Sequence, residues 1–250
     1  MKSIAIFGAT GGLGADIATT LAKRAAVCLG YGQNRTRADE LARNIAAAGG
    51  KAVVQQVDIR DPDSVKRFIG TAAVLADGLE AIVFATGPAL SLKPLVEVSD
   101  EDFDRIYRTD VRGAFNVIKH GALALKDAGG GSIVMILTTA VLRTLEHDGM
   151  SGGPKTAVAA LIKQTAREMG PYNVRCNGLA LAVIDAGIIY ADNLVNDGYA
   201  QGVINAMVSN TPLGRMGRPD EVSAVVDFLV SPGAGYINGQ IIGVDGGFSA

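Results

Sequence analysis

The chain has 250 residues, of which 48% are apolar and 19% are charged, and its formal net charge is −2. This length and apolar content suffice for one sizeable core, so we predict a single domain over residues 1–250. The interspersed charges give no indication of a nucleic-acid or anionic-membrane partner, no apolar run is long enough to cross a bilayer, and we expect a cytoplasmic protein. Cys28 and Cys176 lie far apart in apolar stretches, which favours buried free thiols over a disulfide or a metal site.

Short apolar runs alternate along the chain with segments of helical periodicity. Strands are predicted at residues 3–7, 26–31, 52–57, 81–85, 132–138, 174–179 and 240–244. Helices are predicted at residues 13–25, 37–48, 62–75, 100–126, 151–169 and 220–229. The apolar runs are continuous, as in strands buried on both faces. This order predicts an α/β fold: a single-domain, doubly wound parallel sheet of about seven strands, with helices on both faces.

Residues 187–211 form the one long irregular insert between predicted elements. The insert follows the carboxyl end of a strand, where ligands bind in such sheets. We predict a partly helical lid over a substrate site. Its content of Ala, Val, Ile and Asn indicates a small, moderately apolar substrate.

A glycine-rich loop, GATGGLG at residues 8–14, joins the first strand directly to a helix. We expect Gly8 to allow the tight turn, Gly12 to let backbone amides approach a pyrophosphate, and Gly14 to let helix and strand pack closely. Because a strand precedes the loop and a helix follows it, a phosphate cradle is favoured over a merely flexible turn. The predicted cofactor-binding residues of the loop are Gly8, Thr10, Gly11, Gly12, Leu13 and Gly14.

Several motifs resemble the short-chain dehydrogenase/reductase family over essentially the whole chain. The loop has the spacing Gly-xxx-Gly-x-Gly, and residues 212–219 (PLGRMGRP) and 236–247 (YINGQIIGVDGG) closely follow the C-terminal consensus of that family. The resemblance implies a nicotinamide cofactor, a small-molecule substrate and a homotetramer. It also implies cofactor contacts at Asp58, Ile59, Ala85, Thr86, Gly87 and Val183.

The segment after the second predicted strand bears on which nicotinamide cofactor binds. It contains Asn34 and Arg35 and has no acidic residue before Asp39. NAD preference usually needs an acid there to bind the ribose hydroxyls, whereas Arg35 and Asn34 are suited to a 2′-phosphate. We therefore expect NADP, with NAD as the alternative. The other interpretation of Arg35 is a solvated surface turn.

The resemblance further implies a catalytic tetrad of asparagine, serine, tyrosine and a lysine four residues after the tyrosine. The lysine position falls on Lys155, which is then expected to bind the nicotinamide ribose. The serine position falls on Thr138, and the asparagine position falls on Asp110. The tyrosine position, which supplies the proton in the family, holds Ser151.

The replacement of this tyrosine changes the chemistry available to the site. A phenol has a pKa of about 10, and an aliphatic hydroxyl is far less acidic. No tyrosine occurs between residues 107 and 172, so a small shift of alignment cannot restore one. Ser151 also fits the N-terminal cap of a helix. His147 is a second candidate proton donor, with a surface histidine as its alternative role, and Asp110 is a candidate partner for Lys155.

Three functions remain open at this point. The motifs favour an NADP-dependent oxidoreductase acting on a small carbonyl or alcohol with a non-standard proton donor. A non-redox lyase, isomerase or cyclase on the same fold is the second. A dinucleotide-binding sensor or an inactive partner of a related subunit is the third. The fold does not decide among them; the intact loop and Lys155 favour the first, and the missing tyrosine favours the third.

Overall fold

Seven parallel strands form one sheet in the computed structural model, which describes residues 1–90, 92–190 and 192–250. The sheet order is β3-β2-β1-β4-β5-β6-β7. The strands are β1 (Ser3–Phe7), β2 (Ala26–Tyr31), β3 (Ala52–Gln56), β4 (Leu79–Phe84), β5 (Gly131–Thr138), β6 (Val174–Leu181) and β7 (Ile241–Val244). The helices are α1 (Gly12–Leu21), α2 (Arg35–Ala47), α3 (Pro62–Val74), α4 (Asp100–Tyr107), α5 (Gly113–Asp127), α6 (Gly149–Met169), α7 (Asp192–Val195), α8 (Gly198–Ser209) and α9 (Pro219–Val230).

Helices cover both faces of the sheet, which confirms the predicted doubly wound α/β fold. One core lies between the sheet and α3, α5 and α6, where Phe68, Val117 and Ile162 are buried. The second core lies on the opposite face against α1, α2 and α9 and contains Ile17 and Val226. Because both faces are covered, the central strand β1 is buried along its whole length, as its continuous apolar run predicts. The strand order reverses between β1 and β4, and this opens a crevice at the carboxyl edge of the sheet.

The single helix predicted at residues 100–126 is interrupted. A π-helical turn, Arg108–Arg112, separates α4 from α5. Such a turn inserts one extra residue into the helical spacing and is frequent at functional sites. Asp110 lies within this turn and is only 2% exposed. The apolar periodicity of α4 and α5 continues across the turn, so the sequence pattern did not reveal it.

Helix α6 begins at Gly149, two residues before the predicted start. Asp148 is the N-cap residue, and its backbone oxygen accepts hydrogen bonds from the amides of Ser151 and Gly152. The interpretation of Ser151 as the helix cap is therefore wrong, because Ser151 lies inside the first turn. His147 precedes the cap with a φ of +63°, a left-handed conformation that is uncommon for a residue with a side chain.

The segment predicted as a lid is mostly helical. It contains a 3₁₀ turn, Gly187–Tyr190, followed by α7 and α8. The Asp197 side chain caps α8 by accepting hydrogen bonds from the amides of Tyr199 and Ala200. Residue 191 of this segment lies outside the described residues.

Cys28 and Cys176 are buried free thiols, as predicted. Burial raises the pKa of each thiol to about 12, so both stay protonated at neutral pH. Within residues 1–90, 92–190 and 192–250, no helix is long and apolar enough to cross a membrane. The same residues contain no cluster of three or more His, Cys, Asp or Glu side chains arranged to hold a metal ion.

The start of α1 packs very closely against the end of β1 in the glycine loop, and we call this contact the close crossing of β1 and α1. Gly8 adopts a φ of +80°, and a Cβ there would lie 2.5 Å from the backbone oxygen of Ala85. A Cβ on Gly14 would fall directly on the backbone oxygen of Gly8. Gly14 therefore has the packing role expected for it, because only a glycine lets α1 approach the end of β1 this closely.

We predict that Gly14→Ala destabilises the fold while Gly70→Ala does not. Both glycines lie inside helices, but the Cβ position of Gly70 in α3 faces open space. Alanine at position 70 should raise the free energy of unfolding by about 0.5–1 kcal/mol, because glycine is the poorer helix former. Alanine at position 14 should lower the free energy of unfolding by about 1–3 kcal/mol or more through overpacking. Urea denaturation measures both, and a stabilised Gly14→Ala variant would contradict the close crossing.

Candidate active site

A cavity of about 590 Å³ lies along the carboxyl edge of the sheet. It extends from the end of β2, across the glycine loop, to the first turns of α6, and the start of the segment predicted as a lid also lines it. It is lined by residues 8, 10–14, 32, 37, 85–90, 136–138, 151, 155, 181, 182, 184 and 186–189. The fold thus gathers residues that are more than 140 positions apart along the chain into one continuous surface.

Most of the predicted site residues line this cavity. They are Gly8, Thr10, Gly11, Gly12, Leu13, Gly14, Ala85, Thr86, Gly87, Thr138, Ser151 and Lys155. The remaining predicted residues do not line it; they are Asn34, Arg35, Asp58, Ile59, Asp110, His147 and Val183. Asp110 nevertheless reaches the site through a direct contact with Lys155.

The glycine loop has the form of a phosphate cradle. It faces the cavity at the N-terminus of α1, where unpaired backbone amides and the helix dipole favour an anionic group. A Cβ on Gly12 would lie 2.7 Å from the backbone nitrogen of Gly187, at the start of the lid. Gly12 therefore has to be a glycine for a second reason besides access to a pyrophosphate, because the lid backbone rests against it. These features fit the binding of a dinucleotide.

The start of α2 places Arg37, and not Arg35, at the cavity. Arg35 is an exposed side chain whose Nε lies 3.3 Å from the Asp39 carboxylate. Asn34 caps the helix by accepting a 2.9 Å hydrogen bond from the amide of Arg37. Arg37 lines the cavity beside Gly32. Sequence reasoning missed Arg37 because it started the helix at this residue, two positions later than the structure does.

The two residues after β3 are engaged within the protein. The Asp58 carboxylate accepts two hydrogen bonds of 2.9 Å from the Arg60 guanidinium, which lowers the pKa of that carboxyl. Ile59 packs where a Cβ on Gly113 would lie, and its backbone oxygen accepts a 2.9 Å hydrogen bond from Asn116. Ile59 therefore connects the end of β3 to α5.

Lys155 and Asp110 form a buried ion pair at the floor of the cavity. The Lys155 Nζ lies 2.7 Å from the Asp110 Oδ2, and the two side chains are 14% and 3% exposed. Burial raises the pKa of the Asp110 carboxyl, and the Lys155 ammonium partly offsets that rise. The π-helical turn presents the Asp110 carboxylate to the ammonium. The second carboxylate oxygen, Oδ1, lies 3.7 Å from the point that a Cβ on Gly87 would occupy. The predicted partnership of these two residues is therefore present, and it holds the ammonium in place.

Two hydroxyls line the same cavity as this ammonium. Ser151 precedes Lys155 by four residues on the same face of α6, and both line the cavity. Thr138, at the end of β5, lines it as well, and its Oγ1 accepts a 3.3 Å hydrogen bond from the amide of Ala140. Tyr107 approaches α6, but its hydroxyl lies 3.2 Å from the Cβ position of Gly153. Gly153 is exposed on the opposite face of the helix, so this phenol does not replace the missing one.

The turn before α6 contains three titratable side chains, those of Glu146, His147 and Asp148. The His147 ring meets the Tyr199 ring of α8 edge-on at 5.4 Å, and its Nε2 lies 3.4 Å from the Glu146 carboxylate. The His147 Nδ1 is buried without a hydrogen-bond partner among the described residues. Asp148 is half-buried, and burial raises the pKa of its carboxyl to about 6. Sequence reasoning named His147 but missed Asp148, although Asp148 lies three residues before Ser151.

A second cavity of about 600 Å³ adjoins the first behind the turn that follows β6. Ala182 and Ile184 line both cavities, and Val183 lines the second one. Val183 is 8% exposed and lies outside the first cavity. The structure therefore places this predicted cofactor contact behind the cavity wall.

Known proteins are similar in sequence to this chain over nearly its whole length. A family model described as enoyl-(acyl carrier protein) reductase matches residues 8–249. An uncharacterized oxidoreductase of Methylorubrum extorquens is 31% identical over 248 residues, which cover 98% of this chain and 97% of the relative. The cis-4-hydroxycyclohexanecarboxylate dehydrogenase of Sinomonas cyclohexanicum is 30% identical over 245 residues, which cover 98% of this chain and 95% of the relative.

The solved structure of a short-chain type dehydrogenase/reductase from Mycobacterium ulcerans has the same fold. It superposes with a TM-score of 0.91 at 27% sequence identity, covering 99% of this chain and 90% of that one. The chain therefore belongs to the short-chain dehydrogenase/reductase family of oxidoreductases, as its motifs indicate.

We predict that the buried ion pair contributes strongly to stability. Asp110→Ala should lower the free energy of unfolding by about 3–5 kcal/mol, because Lys155 is left buried without its counter-charge. Asp110→Asn keeps an oxygen that accepts a hydrogen bond from the ammonium and should lower it less. The matched control is Asp104→Ala on the exposed face of α4, with an expected change within about 0.5 kcal/mol. Urea denaturation at neutral pH measures all three, and equal losses for Asp110→Ala and Asp104→Ala would contradict the prediction.

Proposed function

We propose that the protein is an NADP(H)-dependent oxidoreductase that interconverts a small carbonyl compound and its alcohol. The observation that carries the proposal is one continuous cavity that joins the glycine loop to Thr138, Ser151 and Lys155. A dinucleotide held by the loop would extend toward these three polar side chains. When bound, the cofactor supplies or accepts the hydride.

Arg37 supports NADP as the cofactor. Its guanidinium lies on the α2 side of the cavity, next to Gly32 at the end of β2, where the adenosine ribose of a dinucleotide binds in this fold. No acidic side chain lines the cavity among the described residues, so nothing there favours the free ribose hydroxyls of NAD. A planar guanidinium forms charge-assisted hydrogen bonds with a phosphate. We therefore assign the 2′-phosphate to Arg37, with Arg35 as the alternative partner.

The polar end of the cavity suits a carbonyl oxygen. The hydroxyls of Thr138 and Ser151 donate hydrogen bonds to that oxygen, and the Lys155 ammonium stabilises the negative charge that develops on it. Asp110 holds the ammonium in position. The Asp110 carboxylate already neutralises the Lys155 ammonium. The ammonium therefore stabilises the charge on the substrate oxygen mainly through its fixed orientation in a partly buried site, and less through net charge.

The substrate class follows from the lining of the cavity and from one relative. The lid contributes Ala186, Ile188 and Ile189, and β5 contributes Ile136 and Leu137, so the walls around the polar end are mainly apolar. The Sinomonas relative is named for a cyclohexane ring that carries a hydroxyl. We propose a small, moderately apolar ketone or secondary alcohol, with cyclic ketones as the first compounds to test.

We also propose that the protein is a homotetramer. Large apolar side chains are exposed on the helices for which the family resemblance implies subunit contacts. These are Phe103, Phe115 and Leu123, with Tyr172 just after α6. Burial of such side chains against other copies would remove them from water.

Arg37→Ala should weaken NADPH binding selectively. We expect the dissociation constant for NADPH to rise about 10- to 100-fold, the value of one or two hydrogen bonds to a charged group, while that for NADH changes little. Arg35→Ala is the matched comparison, because it removes the same side chain two residues earlier. Calorimetric titration measures both nucleotides. If Arg35→Ala shows the selective loss and Arg37→Ala does not, the phosphate assignment moves to Arg35.

The redox function itself is tested by oxidation of NADPH with carbonyl compounds. We expect turnover by the wild type with at least one of cyclohexanone, 4-oxocyclohexanecarboxylate and ethyl acetoacetate, followed at the absorbance of the reduced nicotinamide. Lys155→Met should reduce kcat/KM by about 100-fold or more, the scale of losing one electrostatic stabiliser. Lys163→Met, at an exposed position of the same helix, is the control. A wild type that binds NADPH tightly but oxidises it with none of these compounds would favour a non-redox or purely binding role.

A further inference from the structure

We propose that Lys155 is the acid of the reaction and gives a proton of its ammonium directly to the substrate oxygen. This inference rests on the proposed function, which assigns to the ammonium only the stabilisation of charge. It identifies the source of the proton that converts the reduced carbonyl oxygen into a hydroxyl. The hydroxyls of Thr138 and Ser151 hold that oxygen but are far too weakly acidic to supply the proton themselves.

Two ionisable side chains line the cavity among the described residues, those of Arg37 and Lys155. Arg37 belongs to the end of the cavity formed by β2 and α2, and an arginine keeps its proton in proteins. Lys155 belongs to the opposite end, on the first turns of α6. Asp110, His147 and Asp148 do not line the cavity. Lys155 is therefore the ionisable side chain that can release a proton to a carbonyl compound bound at the polar end.

The contact with Asp110 fixes the ammonium and still leaves it able to bind a ligand. The Lys155 Nζ donates a 2.7 Å hydrogen bond to the Asp110 Oδ2, its only hydrogen bond within the part of the chain that the structure describes. A lysine ammonium has three N–H groups, so two remain for oxygen atoms of ligands in the cavity. The Lys155 side chain is 14% exposed, so most of it is shielded from water. The structure thus presents a positioned N–H donor to the cavity.

An ammonium is acidic enough for this step. In model peptides, the ammonium of lysine and the phenol of tyrosine have nearly equal pKa values, about 10.4 and about 10. An ammonium can therefore replace a phenol as a general acid, which a serine hydroxyl cannot. The alkoxide that hydride transfer forms on a carbonyl carbon is a much stronger base than an amine. Transfer of a proton from an ammonium to that alkoxide is therefore favourable.

The proton transfer balances in the direction of carbonyl reduction. As the carbonyl carbon accepts a hydride, its oxygen forms an O–H bond with a proton of the Lys155 ammonium. The N–H bond breaks, its electron pair stays on Nζ, and a neutral amine remains beside the Asp110 carboxylate. A proton from solvent then restores the ammonium. In alcohol oxidation the same path runs in reverse, and Lys155 has to start as the neutral amine.

Asp110 is a positioning residue that favours the return of this proton. Burial raises the pKa of the Asp110 carboxyl, and the Lys155 ammonium lowers it. When the ammonium becomes an amine, the lowering effect disappears and a buried carboxylate is left without its counter-charge. The pair therefore takes up a proton from solvent and regains the ion pair.

The charged groups that face the ammonium are Asp110 of the π-helical turn, in contact, and Asp148 before α6. The carboxyl ends of β5 and β6 contribute no ionisable side chain, and Tyr107 of α4 lies against Gly153 on the opposite face of α6. Because reduction needs the ammonium, its rate should fall about tenfold per pH unit above the pH at which Lys155 titrates. Asp110→Asn removes the nearest negative charge and should move this fall to lower pH.

An NMR titration of the protein without ligands gives a readout that needs no turnover. The signal of the Lys155 side-chain carbon next to Nζ, assigned by its loss in Lys155→Met, reports the protonation of this amine. Its titration midpoint should agree with the midpoint at which single-turnover reduction declines, within about one pH unit. Both midpoints should move down together in Asp110→Asn, which a merely structural Lys155 would not produce.

Lys155→Arg separates proton donation from charge. The arginine keeps a cation beside Asp110, so the buried carboxylate retains a counter-charge, but a guanidinium does not give up its proton. Single-turnover reduction of cyclohexanone, or of the best compound of the panel above, is measured with saturating NADPH. We expect Lys155→Arg to be slower than the wild type by about 100-fold or more. Lys163→Arg, at an exposed position of α6, is the matched control and should keep the wild-type rate.

Small amines added to Lys155→Ala test the same point without a bulky replacement. The double variant Asp110→Asn with Lys155→Ala leaves no buried charge unpaired and serves if the single variant does not fold. Ethylamine and 2-fluoroethylamine are similar in size and are both charged at neutral pH, but the fluorinated ammonium is the stronger acid. If the ammonium donates the proton, 2-fluoroethylamine should restore the rate about threefold or more better than ethylamine. Two equal charges that only stabilise the alkoxide would restore it equally.

The outcomes distinguish this inference from the proposed function. If Lys155→Arg keeps a rate within about tenfold of the wild type, Lys155 acts through its charge alone, and the inference is overturned while the proposed function stands. Equal rates with the two amines, or NMR and kinetic midpoints that move apart in Asp110→Asn, lead to the same conclusion. If the wild type reduces no compound of the panel, the proposed function fails, and the assignment of the proton to Lys155 fails with it.

Discussion

The close crossing of β1 and α1 is the constraint on which the rest of the site depends. With no side chain at Gly8 or Gly14, the helix starts almost at the end of the strand, and its N-terminus opens toward the carboxyl edge of the sheet. Strands β4, β5 and β6 follow β1 in order across one half of the sheet, so their carboxyl ends present Gly87, Thr138 and Leu181 to the same cavity. A wider crossing would tilt α1 away and separate the loop from the polar residues of α6.

The second organising feature is the pairing of charge at the floor of the cavity. Lys155, for which the family resemblance implies a phenol as neighbour, is bound to a carboxylate from a π-helical turn. The two replacements are physically consistent with each other. Without a neighbouring phenol, the Lys155 ammonium has no phenolate to stabilise. The Asp110 carboxylate, at the asparagine position that the resemblance implies, serves as its counter-ion.

The fold was predictable to a large extent because its signals are local. Continuous apolar runs with glycine turns identified all seven strands, and the loop at residues 8–14 located the cavity. The π-helical turn was not predictable, since one extra residue hardly disturbs the apolar pattern of α4 and α5. The placement of Arg35 and Arg37 depended on where α2 starts, and helix boundaries are poorly determined by sequence patterns. The acidity of Asp148 depends on burial by distant segments, which no local pattern contains.

The contact between Gly12 and the lid has a consequence for how this protein changes during evolution. Gly187 lies against Gly12 with a φ of +68°, so a side chain is disfavoured at both positions for different reasons, space at one and backbone conformation at the other. A mutation at position 12 is tolerated only if the lid backbone has already moved, and a lid that has moved no longer shapes the cavity. The glycine loop and the segment at Gly187, although 175 residues apart in the chain, must therefore diversify together.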